Sequence, residues 1–208
     1  MSDKRQLHWE TAYAQKGEDT VSWFEQQPRQ SLALIDAAGV SADDPLIDIG
    51  GGASRLVDEL LARGYNRISV LDVATKPLEI AKRRLGPRAS EVSWIVQDIT
   101  CWNPPADGYV LWHDRAVFHF LTDDEDLAAY LRAVNRALRP HGHIVLATFA
   151  LSGPERCSGL PVRRYGADDL RAVFGANFEL LTSLEATHQT QSGAHQNFTW
   201  CLFRKTGV

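Results

Sequence analysis

Short apolar runs alternate with amphipathic stretches along most of this chain, and that alternation narrows the available folds more than any other feature. "PLIDIG" (45–50), "RISVLDV" (67–73), "VSWIVQDI" (92–99), "GYVLWHD" (108–114) and "HIVLATFAL" (143–151) read as strands. "SRLVDELLARG" (54–64), "KPLEIAKRRLG" (76–86), "DDEDLAAYLRAVNRALRPHG" (123–142) and "GADDLRAVFG" (166–175) carry apolar residues at helical spacing. The third of these is the clearest helix, with acidic residues at its start and Pro140 and Gly142 at its end. "FELLTSLEAT" and "QNFTWCLFR" close the chain as an antiparallel pair. The expected fold is α/β: a doubly wound, mostly parallel seven-stranded sheet with an antiparallel last strand. No linker or repeat interrupts residues 1–208, so a single domain is expected.

Three successive glycines, Gly50 to Gly52, stand where the first strand should become the first helix. Glycine is costly to order, so the cluster serves either chain reversal or a ligand lying close against bare backbone. In a doubly wound sheet the ligand crevice lies beyond the carboxyl ends of the strands, which is where this loop falls. Free amides at the start of the following helix would favour an anionic group. Asp72 follows Gly52 by 20 residues and ends the second strand, where a carboxylate can accept both hydroxyls of a ribose. A dinucleotide fingerprint needs a third glycine, but Arg55 holds that position, and no G-K-[ST] follows for a P-loop. The pattern suits a nucleoside ligand without phosphates and disfavours a dinucleotide oxidoreductase.

These segments resemble the motifs of the class I S-adenosylmethionine-dependent methyltransferases. "LIDIGGGASRL" resembles their motif I, with Ser54 at its last glycine, and "VLDVA" with Asp72 resembles motif II. "VQDIT" with Asp98 resembles the acidic position that holds the adenine amino group. "WHDRAVFHFLTD" resembles the family's motif after the fourth strand, and "ALRPHGHIVLATF" its next helix–turn–strand, so the likeness runs from about Pro45 to Phe149. The resemblance implies a small single-domain enzyme that uses S-adenosyl-L-methionine and releases S-adenosyl-L-homocysteine. It assigns the cofactor to Gly50, Gly51, Gly52, Asp72, Val73, Asp98 and Ile99, and to the backbone near His113 and Asp114. Asp48 is expected to brace the glycine loop.

The acceptor side is less legible. Asp114, Arg115 and His119 are the catalytic candidates: Arg115 could orient an anionic acceptor or pair with Asp114, and His119 could contact the cofactor or sit in the core. The long Gly/Pro-rich segment 151–166 suggests a functional loop, with Arg163, Arg164 and Tyr165 as substrate contacts and Cys157 as either a small buried residue or a substrate contact. Trp9 and Tyr13 at i, i+4, with Trp23 and Phe24 after them, are either a helix packed on the core or a lid over residues 1–27. Trp23 is a tentative substrate contact on the second reading. His188 and His195 lack a third spaced ligand, so no metal is expected and surface histidines are.

Composition excludes several classes. A net charge of −4 does not suit a nucleic-acid partner, and no apolar run approaches membrane-spanning length. The polar start "MSDKRQLHWETAYAQ" lacks a signal-peptide core, and three cysteines without a C-x-x-C pair suit a reduced, cytoplasmic setting. The favoured function is methyl transfer to a small molecule by a monomer or weak homodimer. The alternatives are protein lysine methylation and a non-catalytic S-adenosylmethionine-binding module.

Overall fold

The computed structural model describes residues 2–15 and 21–207; residues 1 and 16–20 of the expected lid segment lie outside them. Seven strands form one sheet: β1 (Leu46–Ile49), β2 (Ile68–Asp72), β3 (Val92–Val96), β4 (Tyr109–Arg115), β5 (Leu138–Phe149), β8 (Phe178–Gln189) and β9 (His195–Lys205). A small hairpin of β6 (Arg156–Cys157) and β7 (Leu160–Pro161) lies within the loop after β5. The order across the sheet is β3-β2-β1-β4-β5-β9-β8, and β9 alone runs antiparallel to its neighbours. The order reverses between β1 and β4, so a crevice opens there beyond the strand ends.

β1 and β2 are buried at every position because helices cover both faces of the sheet. One face packs against α2 (Arg29–Ala38), α3 (Leu56–Ala62) and α4 (Thr75–Leu85) through Leu32, Ile35, Leu56, Leu60 and Leu78. The other packs against α5 (Asp124–Ala137) and α6 (Ala167–Phe174) through Tyr130, Val134, Leu170 and Phe174. The remaining helix, α1 (Ser2–Gln15), lies across the crevice and touches α4.

Two boundaries differ from the sequence reading. The helix expected over 123–142 ends at Ala137, and Leu138 is already extended (ψ 135°) and paired with Tyr109. Pro140 excludes the helical region for the residue before it, so the helix must stop earlier than the proline itself. The first helix after the glycine loop begins at Leu56, with Ser54 Oγ accepting the Leu56 N–H at 3.1 Å. α2 carries no motif that marks it in the sequence. Among the described residues no helix is long and apolar enough to cross a membrane.

Candidate active site

The glycine loop leaves β1 in a left-handed conformation, with φ +64° at Gly50 and +47° at Gly52. A Cβ on Gly50 would collide with Val117 Cγ2, and one on Gly51 would sit 2.5 Å from Asp48 Oδ2. Packing inside the protein therefore already demands glycine at both positions. Both Gly50 and Gly51 amides donate to Leu71 O, at 2.7 and 3.2 Å. The loop thus presents bare backbone to the crevice, but these two amides are spent on the sheet. The helix start is separate from these amides: α3 starts six residues after Gly50, and Ser54 Oγ accepts its first N–H.

The crevice is a cleft of about 830 Å³, counting space open to solvent. At one end stand Asp72, Val73, Asp98 and Ile99, as the sequence led us to expect; at the other stand Trp9, Trp23, Arg115, Val117, Phe120 and Cys157. Gly50 lines the middle. Asp72 takes the Ala74 N–H on Oδ1 at 2.8 Å, while its Oδ2 faces Gly52. Burial pushes this carboxyl up to about 7, and the charges of Asp48 and Glu10 add to the effect against the Ala74 N–H. A carboxylate in that state gains from hydroxyl donors, so the site suits a ribose.

Asp98 is held more firmly than the sequence suggested. Its Oδ1 accepts from Thr100 N (2.9 Å) and Thr100 Oγ1 (2.8 Å), and Arg5 of α1 reaches Oδ2 at 3.2 Å. Arg5 also pairs with Asp126. Glu10, one helical turn and a half further along α1, accepts the Thr75 N–H at 2.6 Å at the start of α4. Trp9 meets Trp23 and Phe120 edge-on, and Trp23 Nε1 donates to Tyr13 Oη at 3.0 Å. α1 therefore roofs the cleft along its length.

Strand alternation sorts the catalytic candidates. Successive side chains of β4 point to opposite faces of the sheet. Asp114 points toward α5, where it accepts Tyr130 Oη–H at 2.7 Å and the amides of Val117 and Phe118 at 2.9 and 3.3 Å. Burial pushes its carboxyl up to about 6 against these donors. It braces the turn after β4 and does not line the cleft. His119 is fully buried, with Nδ1 accepting the Phe149 N–H at 3.2 Å, and burial with the Arg115 charge lowers it to about 3. It stays neutral and also lies outside the lining. Arg115 alone of the three reaches the cleft, and it does not pair with Asp114. It binds Trp23 O at 2.8 Å and Glu25 Oε1 at 2.9 Å, and stacks over Phe198.

The expected substrate contacts of the 151–166 loop also need correction. Arg164 binds Leu151 O, Gly153 O and Glu155 within its own loop. Arg163 lies over Tyr165, near Asp124, and Tyr165 is a core residue against Phe118. None of the three lines the cleft, whereas Cys157 of the same loop does. Cys101, Cys157 and Cys201 form no disulfide, and no group of three metal-ligating side chains occurs among the described residues. His188 is not a surface histidine: Nε2 donates to Ser22 O at 2.8 Å and Nδ1 lies 3.4 Å from Glu25. Burial alone would raise the Glu25 carboxyl, but its His188 bond and the Arg115 charge hold it below the usual range.

A second cavity of about 550 Å³ adjoins the first at Gly50 and Arg115. Asp48 and Glu25 give it negative groups, and Arg55 and Arg115 positive ones. Sequence reasoning missed Ser31, Glu25, Glu10 and Arg5, which come from segments without motifs. Their signal was faint: a serine inside an amphipathic helix, and charges near the aromatic N-terminal stretch.

Comparison with known proteins agrees with this geometry. The family model described as "Methyltransferase domain" matches residues 46–142. The chain is 25% identical over 139 residues to the eEF1A lysine and N-terminal methyltransferase of Mus musculus, covering 66% of this chain and 19% of that protein. It is 30% identical over 102 residues to N-terminal Xaa-Pro-Lys N-methyltransferase 1 of Rattus norvegicus, covering 48% and 45%. The matched stretch spans less than half the length of either relative. The 1,6-didemethyltoxoflavin-N1-methyltransferase of Burkholderia thailandensis, solved with that ligand and S-adenosylhomocysteine, shares the fold. It superimposes with a TM-score of 0.74 at 18% identity, over 99% of this chain and 91% of that one. Residues 46–142 of this chain thus match a methyltransferase domain, and its fold is that of solved S-adenosylmethionine-dependent methyltransferases.

Proposed function

We propose that this methyltransferase acts on a small uncharged or anionic acceptor. The observation that carries the reading is the far wall of the cleft, which Trp9, Trp23, Phe120 and Cys157 line together with Arg115 beneath α1. On this reading Asp72 takes the ribose hydroxyls, and Asp98 with the Ile99 backbone reads the adenine edge beside Val73. Gly50 to Gly52 let the methionyl part pass into the second cavity, whose mixed charges suit an α-amino acid. The cofactor supplies a methyl already activated by its sulfonium. The protein then has to align the acceptor and exclude water, a task worth roughly 7–11 kcal/mol when geometry is ideal. The aromatic wall and the roof of α1 serve both ends. Asp114 and His119 are turned away, which favours an acceptor that ionises easily, such as a thiol or an acidic N–H or O–H.

The second reading is methylation of a protein amine, as the names of the two relatives suggest. Such an acceptor is cationic until it is deprotonated, and the wall it would meet carries Arg115. Glu25, the nearby anion, is already committed to Arg115 and His188.

A turnover screen for S-adenosylhomocysteine separates the readings, using thiols, phenols, heterocycles and carboxylates beside lysine and Xaa-Pro-Lys peptides. Small-molecule turnover is expected, and Trp23→Ala should raise KM for the preferred acceptor about tenfold through lost aromatic contact. Turnover of peptides with none of the small molecules would overturn the reading. Cofactor binding with no turnover of any acceptor would favour a non-catalytic module.

A further inference from the structure

Three buried side chains form a chain of hydrogen bonds along one wall of the second cavity. Asp48 of β1 and His113 of β4 are direct partners in the parallel ladder, so their side chains share a face. His113 Nδ1 lies 2.6 Å from Asp48 Oδ1, and His113 Nε2 lies 2.9 Å from Ser31 Oγ of α2. Their exposures are 3% for Asp48, 3% for His113 and 1% for Ser31. An ionised carboxylate only accepts, which assigns the imidazole proton to Nδ1. Ser31 Oγ, which can either donate or accept, closes the chain at Nε2 in either charge state of the ring.

This relay leaves Asp48 Oδ2 uncommitted to His113 and beside the Gly51 backbone. All three residues line the second cavity, together with Arg55 and Arg115. A carboxylate whose one oxygen is locked cannot rotate, so the other keeps its place beside Gly51 in the cavity wall. That is how a second group orients a ligand-binding one in metal and catalytic sites, where its loss typically costs about 10- to 100-fold.

We infer that Ser31 and His113 are positioning residues that hold Asp48 toward the charged amino-acid end of the cofactor, making α2 part of the cofactor site. The inference rests on the cofactor placement proposed above. Neither residue is required to touch the reacting atoms. Their effect is confined to the part of the ligand that carries the α-ammonium and leaves the adenosine end, held by Asp72 and Asp98, unaffected.

Calorimetric titration of the full chain with two ligands tests this. S-adenosylhomocysteine carries the amino-acid end, and 5′-methylthioadenosine has the same nucleoside without it. Ser31→Ala should weaken S-adenosylhomocysteine about tenfold and change 5′-methylthioadenosine by less than about twofold. His113→Leu should do the same more strongly. His113→Asn, which keeps an N–H donor near the Nδ1 position, should recover part of the loss. Ser31→Ala removes a single oxygen, so it remains informative even if the histidine variants fold poorly. Equal weakening of both ligands would mark the relay as fold support alone and overturn the inference. Unchanged S-adenosylhomocysteine affinity in Ser31→Ala also overturns it, and a wild-type chain that binds neither ligand overturns it together with the cofactor assignment.

Discussion

Arg5 and Asp98, 93 residues apart, meet at 3.2 Å in the wall of the cleft. The contact ties the N-terminal helix to the carboxylate expected to read adenine, so one acid serves both the roof and the proposed ligand. Arg5 keeps Asp126 as a second partner, which lets the helix stay attached if Asp98 turns to a ligand.

Removing that tie should loosen the roof. The Arg5 side chain is 26% exposed, so its pairs are partly screened, and about 1 kcal/mol of local stability is at stake. In Arg5→Ala the amides of α1 should exchange hydrogen about fivefold faster, and saturating S-adenosylhomocysteine should restore protection in both forms. Mass-spectrometric exchange that shows α1 equally protected in both proteins would assign the helix to static packing by its aromatics.

Cofactor affinity should depend on pH through Asp72. Its carboxyl is pushed up to about 7 by burial, and ribose hydroxyls donate to the ionised form, so binding lowers that value and releases a proton. Affinity for S-adenosylhomocysteine should be flat above about pH 8 and fall about tenfold per unit below about 7, until the bound-state value is reached. Asp72→Asn should bind more weakly, with no such slope. A wild-type profile that is level through this range would remove Asp72 from the site.

Gly50 is the loop position least able to carry a side chain. Gly50→Ala combines a left-handed φ of +64° with a collision against Val117. Together these should cost roughly 2–4 kcal/mol. Val117→Ala in the same chain should return the collision share and leave the backbone share. Urea unfolding of the single and double variants measures both, and a loss below about 1 kcal/mol in Gly50→Ala would mean the loop relaxes.

Arg164 should matter for stability and not for catalysis. Its guanidinium holds the carbonyls of Leu151 and Gly153 and the carboxylate of Glu155, outside the cleft lining. Arg164→Ala should lower stability by about 1–2 kcal/mol with acceptor KM unchanged. A selective rise in KM without a change in melting temperature would return this residue to the substrate site.

The sequence by itself determined the sheet, the glycine turn and the two carboxylates, Asp72 and Asp98, that line the cleft. Those features are written in local pattern. Period-two and period-3.6 apolar repeats define the elements, while Asp72 closes β2 and Asp98 follows β3 by two residues. The acceptor end was decided only in three dimensions. Asp114, Arg115 and His119 are neighbours in the chain, but strand alternation and the turn after β4 send Asp114 toward Tyr130 and leave Arg115 in the cleft. Arg164 looked better suited than Arg163 to bind an acceptor, yet the loop folds back and consumes Arg164 internally. Other groups in the walls of the two cavities, Arg5, Glu25 and Ser31, come from segments far apart along the chain. A charge or hydroxyl there carries no periodicity of its own, and its role arises only when long-range packing supplies the partner.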